Sequence, residues 1–175
     1  MWIAILLLLA IASFWLFFWP VKPIRHNGKT VSEMPSFLAS LMVSHTDGAL
    51  LFIEHEGSDE FLQFVKYIRG GRETLNFGFP NSPWSRFYFD QLKTLLQESH
   101  IDYQIEPTGR SDTQAFLNVH DISSIEQAQT IIELALKAMD LGPHERFSVL
   151  ISGGVRLRIW RRNAAVYRKY FAPRS

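Results

Sequence analysis

Glu60-Phe-Leu-Gln-Phe-Val-Lys-Tyr-Ile-Arg-Gly-Gly-Arg-Glu-Thr-Leu-Asn-Phe-Gly-Phe79 decides the fold. Two stretches rich in aromatic and β-branched residues, Glu60 to Ile68 and Glu73 to Phe79, flank Arg69-Gly70-Gly71-Arg72, a connection of hairpin length. Glycine supplies the positive φ that such turns require. One step upstream, Ala49 to Glu56 has the same strand character and ends in Gly57-Ser58-Asp59. Three consecutive strands with two short turns predict an antiparallel meander.

Helical patterns enclose the meander. Ser32 can cap a helix with Pro35 in its first turn, and Phe37, Leu38, Leu41 and Met42 recur at helical spacing until Asp47-Gly48. Downstream, Ser82-Pro83 opens a second helix, with Trp84, Phe87, Tyr88, Leu92, Leu95 and Leu96 on one stripe as far as Ser99. Ile101, Tyr103 and Ile105 alternate with polar residues, Pro107 to Asp112 reads as a loop, and Ala115 to His120 as a strand, which together predict a hairpin. Ser123 and Glu126 have capping-box spacing, Ile125, Ala128, Ile132, Ala135 and Met139 form one face, and Gly142-Pro143 closes this third helix. Phe147 to Ile151 and Val155 to Trp160 flank Gly153-Gly154, predicting a last hairpin before a short helix ending near Pro173. The predicted order is α-βββ-α-ββ-α, an α+β domain over residues 32–151 with one sheet face under helices and a basic tail over 152–175.

The first 21 residues carry no charge. The run from Trp2 to Trp19 would form a helix about 27 Å long, close to the hydrocarbon thickness of a bilayer. Trp15 and Trp19 stand at one end and Trp2 at the other, where indole rings favour the headgroup level, and Pro20 and Pro23 stop the helix. A cleavable leader would need a positive start and a small-residue site, and neither is present. The reading is an uncleaved signal-anchor over 1–21, a linker over 22–31 and a single-pass protein of the cell membrane. Lys22, Arg25 and Lys29 follow the span, which places the body in the cytoplasm of a bacterial inner membrane.

Charge is unevenly distributed along the chain. Residues 31–146 hold all 17 acidic residues against eight basic ones, whereas 147–175 hold seven basic residues and no acid. In the tail Val155, Leu157 and Ile159 alternate with Arg156 and Arg158; Trp160, Ala164, Tyr167 and Phe171 then run at helical spacing against Arg161, Arg162, Arg168 and Lys169. Three readings compete for this cationic-aromatic segment: it lies on an anionic leaflet, it packs on the acidic body or a partner, or it binds nucleic acid. With an anchor close by, the first leads and nucleic acid is the weakest. Arg156, Arg158, Arg161, Arg162, Arg168 and Lys169 are then the anionic-surface contacts, and Trp15, Trp19, Trp160, Tyr167 and Phe171 the interfacial aromatics.

From residue 32 to 151 the chain resembles the type III secretion chaperone-like fold, including its sensory-transduction-regulator branch. The resemblance rests on the element order, on Phe61-Leu62-Gln63-Phe64 after a short turn, on Phe77-Gly78-Phe79-Pro80 leading into the second helix, and on Phe116-Leu117-Asn118-Val119 before the last one. It implies protein binding through sheet and helix surfaces, often in dimers, without catalysis.

Catalytic spacing is sparse. There is no cysteine, no G-x-S-x-G elbow, no phosphate loop and no pair of histidines at i and i+4. Glu54-His55-Glu56, His120-Asp121 and His144-Glu145 place acids beside histidines, but neighbours on a strand point to opposite faces. Phe52, Phe61, Phe64, Phe77, Phe79, Trp84, Phe87 and Phe116 sit mostly at core spacing. The sequence therefore predicts a membrane-anchored, non-enzymatic interaction module, an adaptor or accessory subunit without cofactor or metal. Its expected partners are the lipid bilayer and another protein or a second copy. A membrane-bound enzyme whose site converges only in three dimensions, and a membrane-held nucleic-acid binder, are the alternatives.

Overall fold

The computed structural model describes residues 23–107 and 115–153. In chain order the elements are β1 (Ile24–Lys29), a 3₁₀ turn (Val31–Glu33), α1 (Met34–Met42), β2 (Leu50–His55), β3 (Phe61–Arg69), β4 (Arg72–Pro80), α2 (Arg86–Glu98), β5 (Gln104–Pro107), β6 (Ala115–Ile122), α3 (Ile125–Ala138) and β7 (Phe147–Ser152). The strands make one antiparallel sheet of order β1-β7-β2-β3-β4-β6-β5. The meander is β2-β3-β4, with Gly70 and Gly71 both at positive φ in its second turn.

Period-two alternation divides the sheet residues between two faces. Leu51, Ile53, Leu62, Phe64, Leu75, Phe77, Phe79, Leu117, Val119, Phe147 and Val149 lie in one buried cluster with Leu38 and Leu41 of α1, Leu92 and Leu96 of α2, and Ile131, Ile132 and Ala135 of α3. The helices thus cover one face and α3 packs against both of its neighbours. This is the α+β layering that the periodicities predict.

Several expectations need correction. The 22–31 linker is in part β1: Ile24 pairs with Ile151 and His26 with Val149, while the His26 ring packs 5.1 Å from Phe37. Its polar composition suits an edge strand, which needs few apolar residues. Phe147–Ser152, the first arm of the predicted last hairpin, is β7 and is bonded to β1 on one side and to β2 on the other, while its second arm, Val155–Trp160, lies outside the described residues. The order is therefore β-α-βββ-α-ββ-α-β, and the domain begins at Ile24 instead of Ser32. Ser124, not Ser123, caps α3, accepting from the Gln127 N–H at 3.1 Å.

The membrane expectation is overturned. Among the described residues no helix is long and apolar enough to cross a membrane. The longest of these helices, α3, has 14 residues and a polar side, whereas a span takes about 20 apolar residues. The run Met1–Val21, on which the single-pass span, the signal-anchor and the cell-membrane localisation rested, lies outside the described residues.

The entry to α1 carries a local charge device. The Glu33 carboxylate accepts from Lys29 Nζ at 2.8 Å and from the Thr30 N–H at 3.0 Å. The Lys29 ammonium and then the Thr30 amide hold its pKa down at about 2, against an ordinary 4.5. A depressed folded-state pKa contributes stability that is present above pH 4.5 and is lost as pH falls towards 2. Carboxyl titration by NMR is expected to place Glu33 near 2, and Lys29→Ala to move it upward. A midpoint near 4.5 in the parent protein would refute the pairing.

Candidate functional site

No described helix lies over the opposite face of the sheet. The strand registers align a row across it: Arg25 of β1, Leu150 of β7, Phe52 of β2, Gln63 of β3, Gly78 of β4, Asn118 of β6 and Gln104 of β5. The row changes chemistry along its length. At the β7-β2-β3 side, Leu50, Phe52 and Phe61 form a second buried cluster with Val65, Leu150 and Trp84 packed against it. At the β4-β6-β5 side the outward side chains are mostly hydrogen-bonding ones, with Phe116 among them.

Gly78 makes the polar side concave. A Cβ at this position would stand 3.3 Å from Asn118 Oδ1, 3.6 Å from Phe116 Cδ1 and 3.7 Å from Gln63 Nε2. With hydrogen in its place, a hollow of about 240 Å³ opens, walled by Gln63, Tyr67, Asn76, Phe116, Asn118 and His120 and closed at one end by Glu106 and Pro107. Asn118 Nδ2 donates to Glu106 Oε2 at 2.8 Å, tying β6 to the edge strand β5.

A β-bulge aims His120 into this hollow. Leu75 pairs with Ile122 and Phe77 with Val119, so β6 has one residue more than β4 between these pairs, and Asp121 takes a φ of 55°. The Asp121 N–H donates to Asn76 Oδ1 at 3.2 Å, which orients the Asn76 amide. Its Nδ2 then donates to His120 Nδ1 at 2.7 Å. An accepting Nδ1 puts the ring proton of the neutral form on Nε2. Nε2 lies 3.2 Å from Glu106 Oε1, but out of line for a hydrogen bond. The face therefore presents the Glu106 carboxylate and the side-chain amides of Gln63, Asn76 and Asn118, the last two held by partners within the protein, while His120 Nε2 is itself buried beneath them.

The other histidine cluster holds a turn together. His55 Nδ1 is 2.9 Å from Ser58 Oγ, and Nε2 is 3.1 Å from Glu145 Oε2. This resembles a hydrolytic triad only in composition. The Ser58 hydroxyl donates to Glu60 Oε2 at 2.9 Å and accepts from the Glu60 N–H, so its proton is directed away from the imidazole that would have to remove it. Glu54 faces the other way, pairing with Arg25 at 2.7 Å, as strand alternation requires. Among the described residues no group of three or more His, Asp or Glu is placed to hold a metal.

Among the aromatics expected at core spacing, Phe64, Phe77 and Phe79 lie under the helices, whereas Phe52 and Phe61 are buried on the helix-free face. Phe116 is half-buried and Phe87 is 79% exposed. Trp84 is half-buried at the end of the sheet, 5.5 Å from Phe61 and 5.8 Å from Phe79, so it joins the two clusters instead of sitting within one. Arg156, Arg158, Trp160, Arg161, Arg162, Tyr167, Arg168, Lys169 and Phe171 lie outside the described residues, as do Trp15 and Trp19. Sequence reasoning missed the Gly78 hollow, and it weighed His120 only beside Asp121 and set it aside. The signal was Phe77-Gly78-Phe79, a glycine in mid-strand, which marks a bulge or a close approach. The chain matches no protein-family model, no curated protein and no solved structure.

Proposed function

We propose that this protein is a non-enzymatic interaction module that binds another protein chain on its helix-free sheet face. The observation that carries this reading is the Gly78 hollow, a gap in the side-chain layer between Gln63 and Asn118 with hydrogen-bonding groups around it. An incoming backbone or side chain finds donors and acceptors there already oriented, which reduces the ordering cost of binding. The resemblance of residues 32–151 to the type III secretion chaperone-like fold supports the same reading, since that fold implies binding through sheet and helix surfaces, often between two copies.

The test places a photo-crosslinking residue at Gln63 in the full chain, with Thr94 on the exposed side of α2 as control. A discrete adduct is expected from Gln63 and not from Thr94, and its mass separates a second copy from a different protein. Gly78→Leu fills the hollow and should remove the adduct while the protein remains folded by circular dichroism. An adduct of equal yield from both positions, or one that survives Gly78→Leu in folded protein, would exclude this face as the binding site. Should Gly78→Leu fail to fold, Asn118→Arg blocks the hollow from its far wall and is read in the same way.

A further inference from the structure

We propose that Asn27-Gly28 is a self-modification site, at which the Gly28 nitrogen attacks the Asn27 side-chain amide and residue 27 becomes an acid. This does not depend on what binds the Gly78 hollow.

Asparagine stands before glycine only here in the chain. The fold sets the pair in a bulge of β1: His26 pairs with Val149 and Lys29 with Phe147, so Asn27 and Gly28 together stand opposite Ser148. Both are exposed, and Gly28 takes a φ of 66°. With no Cβ, glycine leaves its nitrogen open to the neighbouring side chain.

The reacting groups lie in one hydrogen-bonded ring. The Gly28 N–H donates to Glu56 Oε1 at 2.7 Å. Ser148 Oγ stands 3.2 Å from the same carboxylate oxygen and donates to Asn27 Oδ1 at 2.9 Å. A base thus sits on the nucleophile and a proton donor on the carbonyl under attack, with one hydroxyl linking the two. Holding them in place removes the ordering cost of the step. Arg146 Nη1 donates to the Gly28 carbonyl at 3.0 Å and steadies the bulge.

As the Gly28 nitrogen bonds to Asn27 Cγ, its proton passes to Glu56, the Ser148 proton passes to Asn27 Oδ1, and Glu56 returns a proton to Ser148. The tetrahedral carbon then re-forms its carbonyl and breaks its bond to the side-chain nitrogen. That nitrogen takes the Oδ1 proton and leaves as ammonia. A five-membered imide remains, and water opens it at either carbonyl to give an aspartate at position 27 or its β-linked isomer. The new carboxylate stands on Ser148 beside Glu56, with one hydroxyl proton for two acids. Their repulsion acts on the side chain that holds the Gly28 N–H, so conversion loosens β1 from β7.

Asn81 is an internal control: it precedes Ser82, whose N–H donates to the Ser85 hydroxyl at 2.9 Å, an acceptor that is not a base. The full-length protein is kept at neutral pH and sampled by peptide mass spectrometry, with released ammonia assayed in parallel. Asn27 is expected to convert roughly tenfold or more faster in the native protein than in the same chain unfolded in guanidinium chloride, and Asn81 to show no such gain. In Glu56→Gln the amide oxygen still accepts from Gly28 but takes no proton, and the native rate should fall to the unfolded one. Ser148→Ala should lower it as well, and decides the matter should Glu56→Gln fail to fold by circular dichroism. Asn27→Asp should melt below the parent protein at low salt, with the difference shrinking at high salt. A native rate at or below the unfolded one, or a parent-like rate in the folded variants, would overturn the proposal. An unchanged melting temperature for Asn27→Asp would overturn the loosening of β1.

Discussion

Lys66→Ala is expected to lower stability by roughly 3–5 kcal/mol, as removal of one member of a buried charged network does. Lys66 lies on β3 on the same side as Leu62 and Phe64 and is fully buried. Its ammonium donates to the carbonyls of Met42 and Ser44 at the end of α1, where the helix dipole favours a cation, and pairs with Glu73 at 3.0 Å. The same residue's backbone binds Gly48 and Ala49, so β3 and the α1–β2 connection are joined twice. Alanine leaves two part-buried carbonyls without this donor, each at a cost of up to about 1–3 kcal/mol. Glu73 is 42% exposed, and Glu73→Gln should cost less than about 1 kcal/mol. Denaturant midpoints of both variants decide the matter. Similar losses for the two would mean that the ion pair dominates instead of the carbonyl contacts.

Phe77→Ala should also cost roughly 3–5 kcal/mol, the range for a large aromatic removed from a closed core. Phe77 is fully buried at the centre of the sheet, with the rings of Phe64 and Phe79 at 5.2 Å and 6.5 Å. Phe87→Ala should change stability by about 0.5 kcal/mol or less, because its ring is 79% exposed and meets only Tyr88 among the described rings. Both positions have the spacing of core residues in the sequence. Paired unfolding curves separate them, and a loss above about 2 kcal/mol at Phe87 would reverse its assignment to the surface.

These two positions show how far the sequence could be read. Periodicity found β2, β3, β4, α2, α3 and β6 because each buries one side against neighbours close in the chain. It missed β1, where Ile24–Lys29 is polar and gains its place from a pairing with β7 more than 100 residues away, to which local pattern is blind. Phe87 was misplaced at the start of α2, where helical spacing puts a residue on a stripe but does not say how far that end of the stripe is covered. Lys66 is a charge at an apolar register, and only the carbonyls brought in by α1 account for it. The Gly78 hollow was illegible for a related reason. It is made by what β3 and β6 place on either side of a missing side chain, and that requires the sheet order. The sequence drew attention instead to the charged tail and the apolar start, which lie outside the described residues.

The pairing of Ile24 with Ile151 has a consequence for how the domain is made. The strand that joins β1 to β2 is the last of the described strands to be synthesised. Until Phe147–Ser152 emerges, β1 has no strand to pair with and β2 presents a bare edge, the kind of edge that recruits strands from other chains. A nascent chain therefore carries all three described α-helices before this sheet can close, and the closing step is an insertion between two waiting strands. The same adjacency brings the points of entry and exit together at one place on the sheet. The domain is thus built like a cassette that can be carried within a longer polypeptide without separating the segments on either side of it.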